Sequence, residues 1–286
     1  MIVVHTVAEL RRQCREWRQA GEAIAFVPTM GNLHAGHIEL VRQGRQRAQR
    51  VVASVFVNPL QFGPNEDYGR YPRSLPADTE KLAAAGCDLL FAPSVEEVYP
   101  QGVGHSTVQV RGVTEMLEGE FRPGHFEGVA TVVCILFNLV QPDLALFGQK
   151  DYQQLAVIRQ LVADLCLPIE VVGVPTLRDA DGLALSSRNQ YLSSEERGRA
   201  ATVHRVLQAM AEGLRQGRRD YLALQSEAAS SLQRAGFRPQ YVAIRRPDLQ
   251  LPTEADAAWV LLVAAYLGRT RLIDNLVVLS DRPGEV

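Results

Sequence analysis

Two histidines three residues apart are the first side chains in this sequence whose types and spacing could do chemistry. His34 and His37 follow the apolar run Ala23–Val27 and a glycine-containing turn, a pattern typical of a strand, a turn and then a helix. At a helix N-terminus both imidazoles could face one phosphate-bearing ligand. Helix capping is the alternative for an isolated HxxH pair, but this context favours polyphosphate binding. Zinc is disfavoured because only Glu39 lies close enough in sequence to be a third ligand.

Two side-chain amides follow the next apolar run, Val51–Val57. Asn58 and Gln61 can both donate and accept hydrogen bonds, which suits a hydroxyl or carboxylate of a small substrate. The alternative is that Asn58-Pro59 only ends the strand.

Only two of the 30 basic residues are lysines, Lys81 and Lys150. Lys150 follows the apolar run Leu144–Phe147 at a strand-to-helix junction, where an ammonium could follow a phosphate as it moves. Asp151 could bind a ribose hydroxyl, and Gln154 lies one helical turn from Lys150. Lys81 is predicted to be a solvated helix residue without a role.

A further candidate is the loop that contains Ser186, Ser187 and Arg188. Its hydroxyls and guanidinium could close over phosphates. The alternative is an interdomain linker that ends at a helix cap, Ser193 or Ser194.

The elements that must position these residues alternate between apolar strands and amphipathic helices in the first half of the chain. This pattern predicts an α/β fold with a Rossmann-like parallel sheet in an N-terminal domain, residues 1–175. Beyond a boundary near Thr176, two predicted helices, Ser193–Gln216 and Asp220–Ala235, precede three strands. Residues 176–286 are therefore predicted to form a smaller C-terminal α+β domain, which we expect to act as a lid.

Composition excludes several classes of protein. The 286 residues carry a net charge of −2, which disfavours a nucleic-acid partner, and no apolar run predicts a membrane span or signal peptide. The four cysteines lie among apolar neighbours and are predicted to be buried thiols of a cytoplasmic protein. The Walker A, GxGxxG and GxSxG motifs are absent, which argues against P-loop ATPases, Rossmann dehydrogenases and α/β-hydrolases.

Six segments between Pro28 and Asn189 carry a resemblance to a known family. They are PTMGNLHAGH, VFVNPLQF, YPRS, RPGHFEGVATVV, FGQKDYQQ and DGLALSSRN. The HxxH pair and the Ser-Ser-Arg loop resemble the HIGH and KMSKS-like motifs of the nucleotidyltransferase superfamily. Taken together and in this order, the six segments resemble the pantothenate synthetase, or pantoate–β-alanine ligase, family.

The resemblance implies an AMP-forming ligase of coenzyme A precursor biosynthesis. ATP and (R)-pantoate would give pantoyl adenylate and pyrophosphate, and β-alanine would then displace AMP to form pantothenate. The family implies Mg²⁺ as cofactor and a homodimer, with no nucleic-acid or membrane partner. The magnesium ligands are not identified by the sequence, although Asp78 is a candidate.

The resemblance also implies roles for individual residues. The implied catalytic residues are His34, His37 as proton donor, Lys150 and Arg188. The implied ATP-binding residues are Met30, Gly31, Asn32, Leu33, His34, Ala35, Gly36, His37, Gly148, Gln149, Lys150, Asp151, Leu177, Leu185, Ser186, Ser187 and Arg188. Gln61 and Gln154 would bind pantoate, Gln61 and Asn58 would bind β-alanine, and His125 would border the pantoate pocket. Gln149 departs from the glutamate that is common in the family, which leaves the role of that carboxylate open.

Two other functions remain open at this stage. A nucleotidyltransferase acting on a phosphorylated precursor would also need HxxH, but it should place basic groups where Asn58 and Gln61 stand. A non-catalytic nucleotide sensor would keep the adenosine contacts but would not need both Lys150 and His37.

Overall fold

The computed structural model describes residues 1–63 and 68–280. The chain forms two compact units. The first comprises Met1–Gln149 and Gln153–Pro175, and the second comprises Lys150–Tyr152 and the chain from Thr176.

The first unit is built on a six-stranded parallel sheet with the strand order β1-β4-β3-β2-β5-β6. Its strands are short apolar runs, as expected for parallel strands that are covered on both faces. They are β1 Ile2–Val4, β2 Ile24–Thr29, β3 Arg50–Val55, β4 Leu89–Phe91, β5 Leu144–Gly148 and β6 Glu170–Val174.

Helices cover both faces of this sheet. They are α1 Val7–Gln19, α2 Ala35–Arg45, α3 Leu75–Ala84, α4 Val95–Val98, α5 Glu118–Phe121, α6 His125–Val140 and α7 Tyr152–Asp164, with short 3-10 helices at Pro59–Gln61, Tyr68–Arg70 and Gln149–Asp151. Successive side chains of β2 enter different cores, because side chains alternate across a strand. Ile24 and Phe26 pack with α1, α6 and α7, whereas Ala25 and Val27 pack with α2 and α3.

The second unit combines helices with a three-stranded antiparallel sheet in the order β7-β8-β9. Its core includes the fully buried Trp259 and Leu207. Its elements are the 3-10 helix Ser187–Tyr191, α8 Ser194–Ala200, α9 Thr202–Arg215, α10 Tyr221–Arg234, β7 Phe237–Arg245, β8 Ala258–Leu267 and β9 Thr270–Leu279.

The predicted α/β class, with a Rossmann-like parallel sheet and a smaller α+β part, is confirmed. Two details differ. The predicted helix Ser193–Gln216 is interrupted at Ala201, whose ψ of −9° departs from α-helical geometry, and so it forms α8 and α9. β1 was not predicted, because three residues are too few for a pattern to identify.

The cysteine prediction holds for two of the four residues. Cys14 and Cys87 are buried, and burial raises the pKa of their thiols to about 11 and about 12, respectively. Cys134 is half-buried and Cys166 is exposed, so the prediction was wrong for Cys166. That residue lies in the turn after α7 with a φ of 51°.

A helix that spans a membrane must be both long and apolar. None of the helices in the described residues is long and apolar enough to cross a bilayer.

The strand order places a topological switch point beside β2. From β2 the chain proceeds to β3 and β4 on one side, while β5 and β6 lie on the other. Open α/β sheets bind their ligands at the carboxyl ends of strands at such a point. The carboxyl ends of β2, β3 and β5 lead into or contain Met30–His37, Asn58–Gln61 and Gly148–Gln149, respectively. The sheet therefore delivers three of the predicted segments to one edge.

Candidate active site

The turn after β2 is organised around a buried carboxylate. Gly31 and Asn32 have positive φ angles of 82° and 51°, so successive N–H groups converge on one anion. Asn32 and Leu33 donate their N–H groups to Oδ2 and Oδ1 of Asp78, each at 2.8 Å. A Cβ on residue 31 would lie 3.1 Å from Oδ2 of Asp78, and the positive φ independently favours glycine there.

Lys81 reaches the same turn from α3. Its Nζ donates to the carbonyl of Leu33 at 2.7 Å. Lys81 is an exposed helix residue, as predicted, but this contact with the turn was not foreseen. Asp78 and Lys81 lie three residues apart and therefore share one face of the helix. The N–H and the C=O of Leu33 are thus both held by α3, directly before the first histidine.

The hydrogen bonds of Asp78 also bear on its candidacy as a magnesium ligand. Both of its oxygens accept hydrogen bonds from the turn, and Ser74 Oγ donates to Oδ2 at 3.0 Å. Over residues 1–63 and 68–280, no group of three or more His, Cys, Asp or Glu side chains is placed to hold a metal ion. The geometry of Asp78 is that of a structural anchor for the turn.

The two histidines cap α2 reciprocally. His34 is the N-cap, and its Nδ1 accepts the N–H of Gly36 at 3.1 Å. Nδ1 of His37 accepts the N–H of His34 at 3.3 Å, and the two ring centroids are 4.1 Å apart. The arrangement is a capping box in which imidazoles replace the usual hydroxyl and carboxylate.

These caps determine which ring nitrogen can donate a hydrogen bond. An Nδ1 that accepts an N–H carries no proton, so each neutral ring of His34 and His37 carries its proton on Nε2. In each neutral ring, Nε2 is therefore the nitrogen that can donate a hydrogen bond. The main-chain N–H groups of Asn32, Leu33 and Gly36 donate within the protein. The capping and ligand-binding interpretations are compatible, because they use different ring nitrogens.

Asn58 follows β3 and is almost fully buried. Its Nδ2 donates to the Gly128 carbonyl at 3.0 Å and to Oε1 of Gln61 at 3.2 Å. Its Oδ1 accepts the hydroxyl of Tyr99 at 2.7 Å and the N–H of Leu60 at 3.3 Å. These four contacts match the full hydrogen-bonding capacity of an amide. This geometry suits a residue that holds Gln61 in place.

Gln61 connects the segments that follow β2 and β3. Its Nε2 donates to Sδ of Met30 at 3.1 Å, and its main-chain carbonyl lies 2.9 Å from Nδ1 of His125. Because a carbonyl only accepts, Nδ1 of His125 must donate, and Nε2 then accepts from Arg122 at 3.0 Å. His125, predicted to border the pantoate pocket, therefore holds the main chain of Gln61.

The approach of α6 to this segment requires a glycine. A Cβ on residue 128 would lie 2.3 Å from the carbonyl oxygen of Leu60 and 2.7 Å from the nitrogen of Gln61. Glycine at this position lets the helix lie directly against the 3-10 helix Pro59–Gln61. Its own carbonyl then accepts a hydrogen bond from Asn58.

The second unit contains Lys150 and the Ser-Ser-Arg loop. The Lys150 side chain is 16% exposed, with Nζ 3.8 Å from Oδ2 of Asp151. The main-chain carbonyl of Lys150 accepts a hydrogen bond from Nδ2 of Asn275 at 2.7 Å. Oγ of Ser186 accepts the N–H of Arg188 at 3.3 Å and so caps the following 3-10 helix.

An ion pair holds the turn that precedes this loop. Arg178 donates to both carboxylate oxygens of Asp274, at 2.6 and 2.9 Å, in the bidentate geometry that arginine favours. The exposed Leu177, a predicted adenine contact, uses its carbonyl to accept the N–H of Leu185 at 2.9 Å. Gln154 lies half-buried in the first turn of α7 of the first unit.

The chain matches a known family over nearly its whole length. The sequence profile described as pantoate-beta-alanine ligase matches residues 2–277. The chain belongs to the pantoate–β-alanine ligase family. As a member of this family it is an enzyme, and specifically a ligase.

Relatives and solved structures agree with this assignment. The pantothenate synthetase of Stutzerimonas stutzeri (strain A1501) is 59% identical over 280 residues, which cover 97% of this chain and 98% of the relative. The crystal structure of pantothenate synthetase from Thermus thermophilus superposes with a TM-score of 0.90 at 53% identity, covering 96% of this chain and 99% of that one. The Francisella tularensis pantoate-beta-alanine ligase, solved with beta-gamma ATP and beta-alanine, gives a TM-score of 0.82 at 34% identity, with 97% of each chain covered.

Several residues that hold the predicted segments were not identified from the sequence. The i,i+3 spacing of Asp78 and Lys81 was a signal that both could face one partner, but it did not identify that partner. Tyr99 lies 41 residues from Asn58 in sequence, and no local pattern connects the two. Arg178 and Asp274 are likewise joined only by the fold.

Asp78→Asn is predicted to weaken the use of ATP. The carboxylate now accepts hydrogen bonds from two main-chain N–H groups and the Ser74 hydroxyl. In the variant, the NH₂ end of the new amide would face at least one of these donors, and that hydrogen bond would be lost. Losing one such charge-assisted hydrogen bond costs about 1.5–3 kcal/mol, so we expect kcat/KM for ATP to fall about 10- to 100-fold. Steady-state kinetics at several Mg²⁺ concentrations will measure this, and the Mg²⁺ dependence should not change.

Asp88→Asn is the matched control. Asp88 also accepts a main-chain N–H at 2.8 Å, from Val51, but it lies at the amino ends of β3 and β4, the opposite edge of the sheet. The Asp88→Asn variant should have a lower melting temperature than the wild type but an unchanged KM for ATP. An Asp78→Asn enzyme with normal kinetics, or one rescued by excess Mg²⁺, would contradict the anchoring role.

Proposed function

We propose that this chain uses ATP to join (R)-pantoate and β-alanine, and that it forms pantothenate, AMP and pyrophosphate through pantoyl adenylate. The observation that carries the proposal is the pair of imidazoles at the switch point. The caps on Nδ1 of His34 and His37 place the proton of each neutral ring on Nε2. Donors held in place before the reaction stabilise negative charge that develops on a polyphosphate, because they need no reorganisation.

The first step transfers AMP to the substrate. A pantoate carboxylate oxygen attacks the α-phosphorus of ATP, the bond from that phosphorus to the bridging oxygen breaks, and pyrophosphate leaves with the electron pair. His34 and His37 contact the phosphates. His37 was predicted to be the proton donor, but a neutral ring whose Nδ1 accepts an N–H keeps its one proton on Nε2, so in this geometry it donates a hydrogen bond to the departing oxygen and does not transfer a proton. In the second step the amine of β-alanine attacks the acyl carbon, AMP leaves, and the nitrogen loses its proton to solvent. Neither step needs a protein nucleophile, so catalysis rests on positioning and charge.

Gln61 is the proposed contact for both acyl-transfer substrates. Its amide is buried, and Nε2 currently meets a thioether, which is a weak acceptor that a ligand oxygen would outcompete. Gln154 is the second proposed pantoate ligand. Asn58 was predicted to bind β-alanine directly, but the four hydrogen bonds within the protein favour a role in orienting Gln61.

ATP is proposed to contact the remaining motif residues. Support comes from the family and from the ATP named in the relative's complex. Lys150 and Arg188 contact the phosphates, and Leu177 contributes a main-chain contact to adenine. Mg²⁺ is proposed to arrive bound to the ATP phosphates, since it commonly uses substrate oxygens and water. The described residues contain no cluster of three or more protein ligands that would hold it by themselves.

The wider setting of the enzyme is also a proposal. We infer from family membership that the chain acts as a homodimer in the cytoplasm, with only small molecules as substrates. Light scattering after size-exclusion chromatography should give twice the mass of one chain.

The direct test supplies ATP, Mg²⁺ and pantoate, with and without β-alanine, and measures AMP and pantothenate. Sustained AMP release should require β-alanine and should equal pantothenate formation. AMP release at the same rate with and without β-alanine would contradict the ligase reaction. Turnover with a phosphorylated acceptor in place of pantoate would identify a plain nucleotidyltransferase. ATP binding without turnover would identify a sensor.

Lys150→Arg is predicted to lower kcat about 100-fold, as removal of a donor to developing charge typically does. The variant keeps the positive charge but replaces a compact ammonium with a planar guanidinium, which cannot follow a moving phosphate equally well. Lys150→Ala should lose at least as much. Single-turnover measurement of adenylate formation will place the defect in the first step.

Arg11→Ala serves as the control, because it deletes an exposed cation of α1 on the surface. This variant should retain wild-type kinetics. Wild-type turnover in Lys150→Arg would show that the ammonium has no specific role.

A further inference from the structure

A tyrosine outside every predicted motif lies directly behind the proposed substrate-binding amide. Tyr99 follows α4 and is 7% exposed, and its hydroxyl donates to Oδ1 of Asn58 at 2.7 Å. Burial raises the pKa of this phenol, so the hydroxyl remains a donor at physiological pH. Its ring packs against Phe56 with centroids 6.1 Å apart.

The hydroxyl helps to fix the orientation of the Asn58 amide. An amide can flip by 180°, and only its partners decide which end carries the oxygen. Oδ1 of Asn58 meets two donors, of which the Tyr99 hydroxyl is closer than the Leu60 N–H, at 2.7 Å against 3.3 Å. With the oxygen held there, Nδ2 must face Gly128 and Gln61, where it meets two acceptors.

The orientation of Asn58 in turn sets that of Gln61. Nδ2 of Asn58 donates to Oε1 of Gln61 at 3.2 Å, so the oxygen end of Gln61 is occupied from behind. Nε2 of Gln61 is therefore directed to the other side, where it lies 3.1 Å from Sδ of Met30 in the segment after β2. The side chain offers an N–H donor, which suits the oxygen atoms of a carboxylate or a hydroxyl.

We propose that Tyr99 is a positioning residue for pantoate and β-alanine, acting through Asn58 to set the direction of the Gln61 amide. The proposal rests on the proposed function, because it assumes that Gln61 binds these substrates. Tyr99 itself touches neither substrate. Without its hydroxyl, Oδ1 of Asn58 keeps only the longer hydrogen bond from Leu60, so the Asn58 amide is held less firmly and the direction of the Gln61 amide is less well defined.

Tyr99→Phe is the variant that tests the relay, because it keeps the ring packing and removes only the hydroxyl. KM for pantoate and for β-alanine should each rise about tenfold, as expected for one lost hydrogen bond between buried groups. KM for ATP should stay within about twofold, because the turn of the histidines is held separately by α3. A packing defect would instead change all three values together.

Coupling to Gln61 provides the second readout. In a Gln61→Ala background, Tyr99→Phe should have no further effect on either KM, because the amide that it orients is absent. Asn58→Asp breaks the next link, since a carboxylate cannot donate to Gln61, and it should show the same pattern as Tyr99→Phe. This variant tests the relay even if Tyr99→Phe folds poorly.

Tyr221→Phe is the matched control. It removes a tyrosine hydroxyl that also donates to an oxygen at 2.7 Å, the carbonyl of Thr253 in the second unit. All three KM values should remain unchanged.

Three outcomes would overturn the relay in an enzyme that makes pantothenate. They are an unchanged KM for pantoate and β-alanine in both Tyr99→Phe and Asn58→Asp, an equal rise in the KM for ATP, and an undiminished effect of Tyr99→Phe in the Gln61→Ala background. A wild-type chain that makes no pantothenate would instead overturn the proposed function, and the relay with it. The wild-type assay thus separates the two failures.

Discussion

The buried carboxylate of Asp78 is the constraint on which the geometry of the site depends. The turn after β2 contains two successive residues with positive φ, a conformation that concentrates N–H groups and is costly to leave without an anion. Asp78 supplies that anion from α3, and Lys81 holds the carbonyl of Leu33 from the same helix face. The position and direction of His34 follow, because it is the next residue and the N-cap of α2.

The same arrangement recurs for the substrate amide. His34, His37 and Gln61 each have one polar end held by another group of the protein, which determines the direction of the other end. The histidines use main-chain N–H groups for this purpose, whereas Gln61 uses Asn58, and Asn58 uses Tyr99. Orientation before binding lowers the entropic cost of each contact and is the usual source of rate enhancement when no covalent intermediate forms.

Much of the fold could be predicted from the sequence, because β2, β3 and β5 are short apolar runs that end in turn residues, a local signal. The histidines and amides could be located as well, since strand ends at a switch point are where ligands bind. What could not be predicted are contacts between distant segments. Lys81 resembles any helix lysine until its partner, the carbonyl of Leu33, is known. Cys166 has apolar neighbours in sequence, yet its positive φ places it in an exposed turn.

The caps on Nδ1 of His34 and His37 determine that Nε2 is the donor nitrogen of each neutral ring before any ligand binds. Side-chain ¹⁵N NMR of the ligand-free enzyme, with His34→Gln and His37→Gln for assignment, measures the tautomer of each ring directly. In the neutral form, each ring is expected to carry its proton on Nε2 and to have a hydrogen-bonded, unprotonated Nδ1. Both Nε2 signals should shift when ATP and Mg²⁺ are added. A proton on Nδ1 of either ring in the ligand-free enzyme would contradict the account.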